Sequence, residues 1–433
     1  MSSADANSVE HAGGPFLGHA VSCAVFTKVN TPPPLDSRSN FHPDMVGLRQ
    51  LQSVRTGRIN VLLVSGTLSG GGAERFASTL LQHLDRERFQ PSLCLLRDDI
   101  TYPLASDVPV SIMGHGGPLH TVRTVRRLAQ TIDSVCPDIV ISTMDYLGMF
   151  VGEALGSSQC RPAWLARTSN NPAFLFGSLR GQIRKQWLNR VYPRATLYVA
   201  NSRGLAESFQ KTFPSARGRT RILTNPVDMA GIDQMAREDW PESIDTTIPN
   251  IFYSARLRSQ KRPDILIEAF RLVLQQVPAR LWICGEGPLR SRVESLIEKY
   301  RLRPHVRMAG FRSNTFPLLK KCSLAVATSD FEGLPNSILE AQAMGIPVVS
   351  TRSSFGPEEI IRHGITGLLT KPGDPREVAD GILTLLHDTP LREEMSARAR
   401  GMMREQFCLE SVIPMWESAL TEATVSSAVA RAA

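Results

Sequence analysis

Along the chain, short apolar runs alternate with longer stretches in which apolar residues recur every three or four positions. The first run, Ile59-Asn-Val-Leu-Leu-Val64, is bounded by turn residues, as expected of a strand buried on both faces of a parallel sheet. It leads into Ser65-Gly-Thr-Leu-Ser-Gly-Gly-Gly72 and a helical pattern over residues 73–84. Further strands are expected at 92–96, 110–113, 139–142, 164–167 and 197–199, with helices at 119–135 and 179–192. This alternation predicts an α/β architecture in which helices cover both faces of a doubly wound parallel sheet.

The rhythm breaks at Thr224-Asn-Pro-Val-Asp228, stays irregular to Pro249, and then restarts. Strands are expected at 251–255, 280–284, 306–309, 324–328 and 347–350, and helices at 263–276, 289–300, 316–321 and 338–344. The chain therefore divides into a first Rossmann-like domain (56–225), a linker (226–250) and a second such domain (251–405). A helical end (406–433) follows, whose Trp416 is expected to pack back on the first domain. Two such halves in tandem make the cleft between them the expected ligand site. Residues 1–55 carry Thr31-Pro-Pro-Pro34 and little periodicity, and are expected to be a disordered extension, with Met45 an alternative start.

Composition narrows the class. With 42% hydrophobic and 21% charged residues, the 433-residue chain reads as a soluble globular protein. No apolar run reaches the roughly 18–20 residues of a membrane helix, and 16–26 lacks the basic leader of a signal peptide. The seven cysteines are scattered singly with no C-x-x-C pair, so neither a metal site nor a disulfide framework is expected, and a reducing cytoplasm fits. The net charge is +8. Much of it falls between Arg180 and Arg221, where Glu207 is the only acid. That stretch reads as a solvated basic face or as a patch for an anionic membrane surface. No zinc finger or aromatic-interleaved motif points to nucleic acid.

The most specific string is Ser329-Asp-Phe-Glu-Gly-Leu-Pro-Asn-Ser-Ile-Leu-Glu-Ala-Gln-Ala-Met-Gly-Ile-Pro-Val-Val-Ser350. Glu332 stands in a loop after a strand, Glu340 inside the next helix, and Gly333-Leu-Pro-Asn336 opens that helix. Free amides and the positive end of the helix dipole can then face an anion. An isolated pair of acids at this spacing would more often be an ordinary helix start with a capping acid. In Ala255-Arg-Leu-Arg-Ser-Gln-Lys-Arg-Pro-Asp264, Arg256 offers a planar fork for phosphate oxygens and Lys261 a mobile point charge. Gly70-Gly-Gly-Ala-Glu-Arg75 lets backbone approach a ligand at a helix start.

These strings together resemble glycosyltransferase family 4, whose "EGLPNxxLEAMAxGxPVVxT" segment carries Glu-x7-Glu. They also resemble its "GRLxxxKxxDxLIxAF" and "GGAER" segments, with Ala255 in place of the usual glycine. The resemblance covers residues 58–410 and implies a GT-B fold, two Rossmann-like domains facing a central cleft. It further implies a retaining transferase that uses a nucleotide-sugar donor, with no metal or other cofactor. By resemblance, Glu340 holds the ribose hydroxyls and Glu332 the transferred sugar. The amides of Gly333 and Leu334 face the diphosphate, which Arg256 and Lys261 neutralise. Gly71 and Gly72 face the reacting sugar from across the cleft. Gly285-Glu-Gly-Pro288 and Gly310-Phe-Arg-Ser313 match loops that frame the nucleotide, which adds Gly285, Gly287, Phe311 and Arg312 to the donor site.

One string departs from the family. Arg167-Thr-Ser-Asn-Asn-Pro172 stands where relatives often carry a histidine, and Ser169 aligns with it. Arg167, Ser169 and Asn170 are the acceptor-side candidates. His115 and His120 belong to a different loop. Val199-Ala-Asn-Ser-Arg-Gly204 and Thr224-Asn-Pro-Val-Asp228 match strings read as structural first.

The expected donor is a UDP-hexose or UDP-N-acetylhexosamine, and the expected acceptor a glycan or lipid-linked glycan of a bacterial surface polysaccharide. Two alternatives stay open. One is an epimerase or phosphorylase on the same fold, although no motif marks a pyridoxal phosphate lysine. The other is a non-catalytic nucleotide-sugar-binding protein, which the intact Arg256, Lys261, Glu332 and Glu340 oppose.

Overall fold

The computed structural model describes residues 57–114 and 120–432, so the expectation for residues 1–55 lies outside it, as does His115. The described residues form two sheets. The first holds β1 (Ile59–Ser65), β2 (Phe89–Leu95), β3 (Val110–Ile112), β4 (Ile139–Ser142), β5 (Ala163–Thr168), β6 (Leu197–Ala200) and β7 (Thr220–Ile222), in the order 3-2-1-4-5-6-7. The second holds β8 (Asn250–Ser254), β9 (Arg280–Cys284), β10 (Val306–Gly310), β11 (Leu324–Ala327), β12 (Val348–Thr351) and β13 (Gly367–Thr370), in the order 10-9-8-11-12-13. The ladders are parallel, for example Val61 opposite Ile139 and Ile251 opposite Leu281.

Helices α1 (Gly72–His83), α2 (Thr121–Val135), α3 (Asp145–Ser157), α4 (Pro172–Leu175), α5 (Leu179–Val191) and α6 (Arg203–Thr212) lie between strands of the first sheet. After α7 (Met229–Met235), the second sheet is threaded by α8 (Pro263–Val273), α9 (Arg290–Lys299), α10 (Phe316–Leu319), α11 (Asn336–Ala343), α12 (Pro357–Ile360) and α13 (Pro375–His387). Helices α14 (Thr389–Gln406) and α15 (Leu409–Ala432) follow. This is the doubly wound arrangement, twice.

Successive strand residues point to opposite faces, and both faces are covered. In β1, Val61 and Leu63 join Phe76, Leu80 and Trp416 on one side. Leu62 and Val64 join Leu128, Val151 and Trp164 on the other. Trp416 of α15 packs 4.7 Å from Phe76 and donates its indole N–H to the Thr224 carbonyl at 3.0 Å. The chain passes between the two sheets at adjacent places, where Val227 N–H bonds the Phe407 carbonyl at 2.8 Å.

Two expectations need correction. Residues 226–250 are not simply irregular: Asp228 caps α7 by accepting from Gly231 N–H at 2.8 Å, and Val227 and Ile232 are buried in the second core. A helix of seven residues is too brief to leave a clear periodic pattern. The basic stretch 180–221 is not one free face, because two of its arginines are engaged, one with an acid of α15 and one with carbonyls of the stretch itself. Arg221 pairs with Glu422 of α15, and Arg219 donates to the carbonyls of Ala195 and Ser215. The described cysteines are free, and among them Cys136 and Cys160 bring their sulfurs to 2.7 Å, a meeting their spacing did not announce. Among the described residues, no helix is long and apolar enough to cross a membrane.

Candidate active site

Each sheet reverses its strand order beside its first strand, β1 against β4 and β8 against β11. Such a reversal opens a crevice beyond the carboxyl ends of the strands. The loops after β1, β4, β5 and β6 meet those after β8 to β11 around a cavity of about 890 Å³. That volume lies within the range of small-molecule sites, about 300–1,000 Å³.

Lys261 ends a 3-10 turn after β8, and the loop after β11 is laced to it. Gln260 donates to the Phe331 carbonyl at 2.8 Å and Thr328 Oγ1 to the Lys261 carbonyl at 2.9 Å. Arg262 pairs with Asp264 and Asp330 at 2.9 and 3.2 Å. The result is an ion pair between Lys261 Nζ and Glu332 Oε1, an oxygen that also accepts from Ser329 Oγ at 2.6 Å. Arg256 reaches across the cleft, with Nε on the Gly70 carbonyl at 3.0 Å and Nη2 3.6 Å from Glu74. Glu340 points at Arg75, whose Nε is 3.0 Å from Oε1.

The glycines act largely through close packing. A Cβ on Gly285 would lie 2.0 Å from the Ala255 carbonyl oxygen, and one on Gly287 2.5 Å from that of Leu257, so both seat the loop that carries Arg256. A Cβ on Gly333 would lie 2.1 Å from the Ser169 carbonyl oxygen. There the serine that stands in for the family's histidine abuts the Glu332 loop through its backbone. Leu334 is buried, while Phe311 is 41% exposed at the rim beside Arg312. Gly71, Gly72 and Asn170 line the same cavity, and no histidine appears among its described lining residues.

Arg167 lines the same cavity and is also tied into the first domain. It is 1% exposed and donates to the Thr143 carbonyl at 3.0 Å and to Asn225 Oδ1 at 2.8 Å. Its guanidinium lies 4.1 Å from the Phe76 ring centre. Burial lowers its pKa to about 10, against the opposing pull of Asp145 and Glu74. It braces the floor of the cleft from within the first domain.

Models for "Glycosyltransferase Family 4" and "Glycosyl transferases group 1" match residues 70–230 and 235–402. The chain belongs to glycosyltransferase family 4. This family 4 transferase is 26% identical over 345 residues to the N-acetylgalactosamine-N,N'-diacetylbacillosaminyl-diphospho-undecaprenol 4-alpha-N-acetylgalactosaminyltransferase of Campylobacter jejuni, across 77% of this chain and 92% of that one. It is 30% identical over 214 residues to the lipopolysaccharide core biosynthesis glycosyltransferase LpsE of Rhizobium meliloti, across 49% and 61%. The crystal structure of HepE from Anabaena with UDP and glucose matches with a TM-score of 0.69 at 20% identity, covering 84% of this chain and all of that one (100%). Sucrose-phosphate synthase from Thermosynechococcus elongatus matches at 0.71 and 18%, covering 85% and 100%. The structural matches speak for the GT-B fold and the family models for a transferase.

Sequence reasoning missed several residues of the transferase's cleft, namely Glu74, Arg75, Tyr146, Asn201, Asn225 and Asn336. Glu74, Arg75 and Asn336 lay within the quoted strings but looked like ordinary residues of helix starts, and Asn201 and Asn225 lay in the two strings read as structural first. Asn225 donates to Asn336 Oδ1 at 2.6 Å, and Asn336 donates to the Gly72 carbonyl at 2.9 Å. This chain of amides ties the two domains together at the cleft. Burial raises the pKa of Glu74, opposed by Arg256, and that of Glu340, opposed by Arg75.

Proposed function

We propose that this glycosyltransferase moves a hexose or N-acetylhexosamine from a UDP-sugar to a glycan or lipid-linked glycan acceptor of a bacterial surface polysaccharide, retaining the anomeric configuration. The observation that carries this reading is the convergence of Glu332, Glu340, Arg256 and Lys261 on one cavity at the switch points of both sheets. Glu340 accepts the ribose hydroxyls and Glu332 a hydroxyl of the transferred sugar. Arg256, Lys261 and the amides of Gly333 and Leu334 oppose the diphosphate. The rim formed by Gly310, Phe311 and Arg312 frames the base.

In the transfer, the acceptor oxygen bonds the anomeric carbon as the bond from that carbon to the phosphate oxygen breaks. The acceptor's proton goes to the departing phosphate oxygen on the same face, so no protein base is required. Negative charge grows on the diphosphate, and fixed cations aimed at it lower the barrier without a divalent ion. UDP as the nucleotide is supported by the HepE complex with UDP and glucose. A lipid-linked acceptor is supported by the Campylobacter jejuni relative, whose name contains diphospho-undecaprenol. The first domain would then work at the inner face of the cytoplasmic membrane.

Calorimetry with UDP-, GDP- and ADP-sugars, followed by transfer to lipid-linked acceptors and proton NMR of the product anomer, tests each part. Preference for another nucleotide, hydrolysis without transfer, or an inverted product would overturn the corresponding claim.

A further inference from the structure

We propose that Arg75, a residue of the first domain, completes the nucleoside subsite of the second by acting through Glu340 as a positioning residue. This rests on the donor-site reading above, in which Glu340 faces the ribose.

Arg75 lies in the first turn of α1, while Glu340 lies in α11 of the other domain. Its Nε is 3.0 Å from Glu340 Oε1, which leaves Oε2 to accept a hydroxyl. Its Nη2 donates to the Ser313 carbonyl at 3.3 Å, in the loop after β10 on the base side of the cavity. The guanidinium is held from the sides as well, 4.7 Å from the Tyr102 ring centre and 5.5 Å from that of Phe316. One arginine of the first domain thus touches both strings of the second domain that the nucleoside would meet. A planar fork with restrained rotamers suits this, because it fixes an orientation as well as a charge.

Burial disfavours the Glu340 carboxylate and Arg75 favours it. A hydroxyl pair needs the ionised, correctly turned carboxylate as acceptor. Tyr102 and Glu74 stand beside this pair on the first-domain side. His83, Asp228 and Glu238 line an adjoining cavity of about 590 Å³ that Arg75 and Glu340 also wall. On α14, packed against α11, Arg400 is engaged with the Ala343 carbonyl at 2.8 Å and Asp233 at 2.6 Å. Among the described residues, Arg75 is therefore the cation that meets the Glu340 carboxylate. Because Arg75 reaches Glu340 from the opposite domain, nucleoside binding and the approach of the domains favour one another.

The test uses the full chain and UDP, with wild type, Arg75→Gln, Arg75→Lys, Glu340→Ala and the Arg75→Gln/Glu340→Ala double variant. Arg75→Gln should weaken UDP binding and raise the donor KM about tenfold or more, the scale of one charged contact, with kcat at saturating donor little changed. Its donor KM should also worsen at a higher pH on acidification than wild type, and Arg75→Lys should restore that pH profile. The double variant should bind UDP no worse than Glu340→Ala alone, since both act through one carboxylate. Unchanged UDP affinity in Glu340→Ala would overturn the donor-site reading itself. Weakening in Glu340→Ala but none in Arg75→Gln, or additive losses in the double variant, would overturn this inference alone. Melting temperatures of all variants separate a local effect from unfolding, and a loss in Arg75→Gln that merely tracks its melting temperature would count against the inference.

Discussion

Lys261 donates a hydrogen bond to Oε1 of Glu332, so two residues that the proposed transfer relies on stand as a joined pair. The pair links the turn after β8 to the loop after β11, on opposite sides of the switch point of the second sheet. Glu332 is 7% exposed, and Lys261 contributes a positive charge that a nearly enclosed carboxylate would otherwise lack. A diphosphate entering the cleft would share this cation with Glu332. In the proposed transfer the lysine would thereby be fixed in place before it meets developing charge.

Lys261→Met should therefore lower kcat on the order of a hundredfold or more, the cost of removing one pre-aimed electrostatic donor. Donor affinity should change less, since leaving-group charge is greatest in the transition state. Glu340→Ala should behave oppositely and mainly weaken donor binding, by about 1.5–3 kcal/mol for bonds to a charged group. Steady-state kinetics with a donor titration checks both. Near-wild-type rates in both variants would remove the assignment.

Turnover should persist in excess EDTA. Arg256 and Lys261 already bring two cations to the cavity where the diphosphate is expected, and no acidic D-x-D string lies near them in the sequence. Activity that disappears with the chelator and returns with magnesium or manganese would contradict this.

What the sequence made legible depended on how each element is buried. β1 and β9 stood out as compact apolar runs because both faces of their sheets are covered. Helix α3 did not, because nine of its thirteen residues are buried and no polar stripe remains to show a period. β7, whose Arg221 and Ile222 are exposed, and β13, Gly367-Leu-Leu-Thr370, left too little of an apolar run to register. Arg256, Lys261, Glu332 and Glu340 were readable because each sits in an ordered string. Their partners Glu74 and Arg75 were not, since the pairing Arg256–Glu74 exists only once two separately folded sheets face each other. The brace from Arg167 through Asn225 to Asn336 was hidden for the same reason: three residues from three segments meet only in the finished cleft.

Asp145 predicts a pH dependence of stability. It is buried, accepts from Thr168 Oγ1 and the Tyr192 hydroxyl at 3.0 Å each, and has its pKa raised by burial to about 6 from 3.8. The folded state thus holds this proton more tightly than the unfolded chain. Between about pH 4 and 6, stability should fall as pH rises, by up to about 3 kcal/mol for this group. Asp145→Asn keeps an acceptor for one hydroxyl and removes the titration. Its stability relative to wild type should therefore increase from pH 4.5 to pH 8, as read from denaturant midpoints. A difference that is flat across that range, or that runs the other way, would refute the argument.

The last prediction concerns a surface. Helix α5 presents Leu179 at 81% and Ile183 at 59% exposure, with Arg180 and Arg184 beside them and Phe174 exposed just upstream. Arg219 is turned onto carbonyls of its own stretch and Arg221 onto Glu422, whereas α5 sets exposed apolar side chains among its arginines, so it is this helix that is expected to meet an anionic bilayer. Each basic side chain near such a surface adds roughly 1 kcal/mol, and exposed leucine and isoleucine can enter the interface. The attraction should weaken with salt, because exposed charges are screened beyond about 8–10 Å at physiological ionic strength. Sedimentation should therefore show binding to vesicles containing phosphatidylglycerol and little to phosphatidylcholine, with the difference shrinking at high salt. Leu179→Asp combined with Ile183→Asp should release the protein without lowering transfer to a soluble acceptor, because neither residue lines the cleft. Equal pelleting with both lipids, or none with either, would leave α5 as a solvated face and remove the membrane from this account while leaving the transferase untouched.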